Sequence, residues 1–65
     1  MNYDLEVMEM VLEKLQAGVE FPTHTLEAIH YNLAQEKKEL KNIDDIFYKR
    51  IVRDLYDECS KALQK

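Results

Sequence analysis

The side chains of this 65-residue chain best suited to metal or nucleophile chemistry are His24, His30, Cys59 and Ser60. Their spacing argues against both uses. His24 and His30 are six residues apart, which sets them on different faces of a helix. Two histidines that grip zinc from one helix stand four apart. Cys59 has no second cysteine to share a metal with, and no histidine lies near Ser60 in sequence. A nucleophilic Cys59 would need a basic neighbour to lower its pKa, and Glu58 acts in the opposite sense. With Gly18 the one glycine, there is no glycine-rich loop to cradle a phosphate. A small-molecule site is a hollow of roughly 300–1,000 Å³, more than a chain this short is expected to enclose. The expectation is a protein that is not an enzyme and has no catalytic residue, no metal and no cofactor.

Two charged groupings remain. Glu6, Glu9 and Glu13 recur at helical spacing and form an acidic stripe, either a solvated face or a face for a basic partner. Lys37, Lys38 and Lys41 would meet Lys49, Arg50 and Arg53 if the chain doubles back between them, giving a basic patch. That patch is the sequence's best argument for DNA binding in the manner of a helix-turn-helix regulator. Against it, Glu36 and Glu39 interrupt the lysines, and Asp44 and Asp45 would face phosphates at the start of the following helix. Lysines closing one helix and aspartates opening the next also satisfy both helix dipoles without any ligand.

The elements that carry these residues are helical. One glycine and one proline leave little material for turns or strands, and the apolar spacing follows the helical period throughout. Wound at about 100° per residue, Asp4 to Ala17 gathers Leu5, Val7, Met8, Val11, Leu12 and Leu15 on one side. Asn2 or Asp4 caps this first helix, and Gly18 sits where a left-handed residue ends it. In "GVEFPTHT", Val19 and Phe21 are expected as buried plugs, with Thr23 or Thr25 capping a second helix from about His24 to Leu40. That helix has a narrow stripe of Leu26, Ile29, Leu33 and Leu40, with Tyr31 on its far side. The third, from about Ile43 to Leu63, is apolar around half its girth: Phe47, Tyr48, Ile51, Val52, Leu55, Tyr56, Cys59, Ala62 and Leu63. Lys49, Arg53, Asp57, Ser60 and Gln64 make its wet face. "LKNIDD" admits either one continuous helix over 24–63 or a break capped at Asn42, and the cap pattern favours the break.

The resulting expectation is a single all-α domain over 1–65, a three-helix bundle with the third helix central. Chains of this size bury only ~60% of their unfolded surface, so their cores are marginal without a supplement. One cysteine cannot form an internal disulfide, which leaves association with a second copy as the open remedy. Tyr48, Val52, Tyr56, Cys59 and Leu63, on the trailing half of the third helix, are the expected self-association surface of a homodimer. The function expected is a small non-catalytic interaction module that regulates a larger protein, with DNA binding as the alternative. The net charge of −4 lowers the expectation of a nucleic-acid partner. No apolar run approaches the ~20 residues of a membrane span, and an acidic N-terminus unlike a secretory leader suggests a cytoplasmic location.

Overall fold

Asp4 begins the first helix by accepting a hydrogen bond from the Glu6 backbone N–H at 3.0 Å. The computed structural model describes residues 4–64 and places this helix, α1, at Leu5–Gln16. It ends through backbone bonds to the carbonyls of Glu13, Lys14 and Leu15, with Gly18 at φ 89°. Only glycine takes that left-handed conformation without strain, which is why the chain's one glycine stands there. Asn2, the other expected cap, lies outside the described residues.

An extended strap over 19–22 leads into α2, Thr23–Glu39. Neither threonine caps it: Pro22 holds the N-cap position without a side-chain hydrogen bond. The Pro22 carbonyl instead accepts from Thr25 and Leu26. The break predicted at "LKNIDD" is present. A 3-10 turn over Leu40–Asn42 and extended residues 43–45 separate α2 from α3, Ile46–Leu63. The cap is Asp45, not Asn42: its Oδ1 accepts from the Tyr48 backbone N–H at 3.1 Å. The turn consumes Asn42, so α3 starts three residues later than the apolar pattern alone suggests.

The three helices form a bundle about α3, as the width of its apolar arc predicts. α1 and α2 both lie along α3 and barely approach one another. α2 runs antiparallel to it, bringing Glu36 to Tyr48 and His30 to Ser60. The C-terminal end of α1 meets that of α3, where Leu15 and Gly18 stand beside Glu58 and Ala62. α1 and α3 therefore run in the same general sense. The core is Met8 and Leu12 from α1, Leu26 and Leu33 from α2, Leu40 from the turn, and Ile51, Val52, Leu55 and Cys59 from α3. Phe21 packs against it from the strap as expected, but Val19 is half-exposed. Among the described residues no helix is long and apolar enough to cross a membrane.

Lengths decide what this arrangement leaves uncovered. At 1.5 Å per residue, the 12 residues of α1 span roughly 18 Å and the 18 of α3 roughly 27 Å. With their C-terminal ends aligned, α1 stops short of the first two turns of α3.

Candidate functional site

The uncovered end of α3 carries the most exposed large aliphatic side chain among the described residues. Ile46 is 79% exposed and Phe47 52% exposed. Phe47 lies one turn before Ile51 on the same stripe, so its angular position is that of a core residue. Its axial position puts it beyond α1, which is why it stays wet. Ile46 lines a shallow depression with Lys49, Arg50, Arg53 and Asp54. The corner is thus apolar at its tip and basic along its side.

The stripe predicted as the self-association surface is placed otherwise. Val52 and Cys59 are wholly buried, and Tyr48, Tyr56 and Leu63 are partly buried against the core. α1 and α2 shelter more of the arc than that expectation allowed. Leu5, Val11, Leu15, Ile29 and Ile43 add half-buried cover to the fully buried set. What was read as a free surface closes the subunit itself.

Both partly buried tyrosines of α3 are anchored. The Tyr48 hydroxyl donates to Glu36 Oε2 at 3.2 Å. Burial first, then the charge and hydrogen bond of Glu36, raise its pKa above the usual tyrosine value. The Tyr56 ring stacks on His30 at 4.3 Å between centroids, and Lys37 Nζ lies 4.1 Å from its centre.

Ser60, expected on the wet face, belongs to this cluster. His30 Nε2 is 2.8 Å from Ser60 Oγ, and Oγ donates to the Tyr56 carbonyl at 3.0 Å. The serine's single proton is engaged there, so it is not directed at the imidazole. A nucleophile and its general base need the reverse, with the hydroxyl proton aimed at the imidazole. The pair joins α2 to α3. Thirty residues separate its members, so no spacing in the sequence announces it.

Burial, and secondarily the charge of Glu58, pushes the Cys59 thiol up to about 11 from an ordinary 9.0. Among the described residues no three His, Cys, Asp or Glu side chains gather closely enough to hold a metal ion. A hollow does exist. An open depression of about 410 Å³ lies between the strap and the end of α3, lined by Leu15, Val19, Phe21, Glu58 and Lys61 among others. The expectation that so short a chain has no room for one is corrected by this hollow, whose wall takes in Val19 and Phe21 of the strap.

The two charged groupings differ in coherence. Lys49, Arg50 and Arg53 share one depression, whereas Lys37 is turned onto Tyr56 and Lys38 and Lys41 are exposed beyond it. Asp54 stands among the three α3 bases. Glu6 and Glu13 are exposed and Glu9 partly so, a solvated face on α1. No protein-family model matches the chain, and neither a curated protein nor a solved structure matches it significantly.

Proposed function

We propose that this chain is a small non-catalytic interaction module that associates with a second copy through the N-terminal end of α3. The observation that carries the reading is the exposure of Ile46 and Phe47 on adjacent positions, flanked by Arg50. Large apolar side chains grouped on a surface, with polar residues around them, mark a contact site more often than isolated ones do. Arginine and aromatic residues are also the types that dominate binding energy when an interface closes over them. The smallness of the core supports the same reading, since a second copy supplies cover that α1 is too short to give.

The test is the mass in solution across a range of concentrations, by light scattering or sedimentation equilibrium, for the wild type and Phe47→Glu. The expected result is a wild-type dimer and a folded, monomeric variant. A wild type that stays monomeric at high micromolar concentration refutes the reading.

A second reading, binding of duplex DNA, draws support from the depression that Lys49, Arg50 and Arg53 share. It carries less, because Asp54 lines that depression too, Lys37 is engaged elsewhere and the net charge is −4.

A further inference from the structure

We infer that the corner of α3 docks against the outer face of α1 on the second copy, the contact being made twice about a two-fold axis. This rests on the self-association proposed above and names the surface that receives it.

A stable pair buries roughly 800 Å² per partner, and the chain exposes 4700 Å² in all. Ile46 and Phe47 fall well short of that by themselves, so a second surface must contribute. α1 offers one. Val7 and Met10 are 44% and 49% exposed, on the side of the helix turned from the core residues Met8 and Leu12. On a helix, residues three and four apart are neighbours. Met10 therefore has Val7 and Glu6 on one side of it and Glu13 and Lys14 on the other.

The charges of the two surfaces are opposite. Residues 4–16 hold four acids, Asp4, Glu6, Glu9 and Glu13, against Lys14 alone. Residues 46–53 hold three bases, Lys49, Arg50 and Arg53, and no acid. Asp45, just ahead of them, is occupied in capping α3, and Asp54 follows one residue after. Arg50 neighbours both Ile46 and Phe47 by the same spacing rule. The α1 surface, with Lys14 beside Val7 and Met10, is thus acidic on balance, and the α3 surface, with Asp54 beside its three bases, is basic on balance. Among the described residues the one ion pair is Lys61 with Glu58, and none joins Glu6, Glu13, Arg50 or Arg53 to another described residue.

Position favours a closed pair over a chain of copies. α1 and α3 run in the same sense, so the corner and the α1 face lie toward the same end of the bundle. A two-fold axis brings each patch onto its complement in the other copy and uses up both.

The decisive experiment mixes two charge-reversed chains. One carries Glu6→Arg with Glu13→Arg, the other Arg50→Glu with Arg53→Glu. All four positions are exposed, so both chains should keep the wild-type far-UV circular dichroism. Alone, each places like charges across both contacts, and its dimer dissociation constant should rise at least about tenfold at low salt. Mixed, they should recover the wild-type mass as a one-to-one heterodimer, seen by native mass spectrometry. If both variants self-associate like the wild type while Phe47→Glu is monomeric, the corner meets another surface, and this pairing fails although self-association stands. Chains that dissociate alone and remain apart when mixed overturn it as well. A monomeric wild type removes this inference together with the reading beneath it.

Discussion

Replacing Ile46 with alanine should leave the stability of the subunit nearly unchanged while weakening its association. The magnitude follows from exposure. Burying an isoleucine completely contributes about 1.5–3 kcal/mol, and at 79% exposure only about a fifth of that, some ~0.3–0.6 kcal/mol, is at stake here. Alanine is the better helix former by a few tenths of a kcal/mol, which works in the opposite direction. The net change should fall within about 0.5 kcal/mol. Leu33→Ala provides the contrast, since Leu33 is wholly buried and truncating such a residue costs about 2–5 kcal/mol. A domain of 65 residues has about 3–10 kcal/mol of total stability. Leu33→Ala should therefore remove a large share of it, and Ile46→Ala almost none. The assay is urea unfolding followed by far-UV circular dichroism, at protein concentrations dilute enough for the monomer to dominate. The same two proteins are then weighed at high concentration. A loss above about 1.5 kcal/mol in Ile46→Ala would place the side chain in the core. The argument that it is kept for a partner would then fail.

Two further predictions concern the interior and a helix end. The Cys59 thiol, held up near 11, should resist a disulfide reagent at pH 8 in the native protein and react promptly in urea. Its folded pKa lies above the ordinary 9.0, so the stability it contributes is complete below pH 9 and is lost as pH rises toward 11. Cys59→Ala should flatten that alkaline slope, and an equally steep slope in the variant would refute the assignment. Asp45→Ala removes the acceptor for the Tyr48 N–H and should cost about 1 kcal/mol in urea unfolding, with Asp45→Asn retaining most of it. An unchanged midpoint in Asp45→Ala would mean that the cap is idle.

Much of the fold was legible because local rules act on single residues. Asp4 and Gly18 bracket α1 as capping preferences require, and the wide arc of α3 called either for two neighbours or for one neighbour and a partner chain. Both neighbours turned out to belong to the same chain, and here the sequence misled. Counting the apolar residues of α1 and α2 understates their cover, because half-buried Leu5, Val11 and Ile29 extend it. Val19 was misjudged because an extended strap has no periodicity to say which way a side chain points. The His30–Ser60 bond joins residues brought together only by the antiparallel return of α2 and α3. Phe47 is the instructive case. Winding assigns it to the core, and only the mismatch between a 12-residue and an 18-residue helix leaves it outside. Both lengths were nearly readable in advance; their alignment was not.

That α1 and α2 grip α3 separately and scarcely touch each other bears on how the subunit comes apart. α3 acts as a spine with two independent flaps, one hinged at the tight turn over 40–45 and the other at the strap over 19–22. Letting go of α1 bares one flank of the spine without disturbing the flap on the other. The molecule can therefore loosen in stages, and the helix proposed to receive a neighbour's corner is also the one joined to the rest by the extended strap.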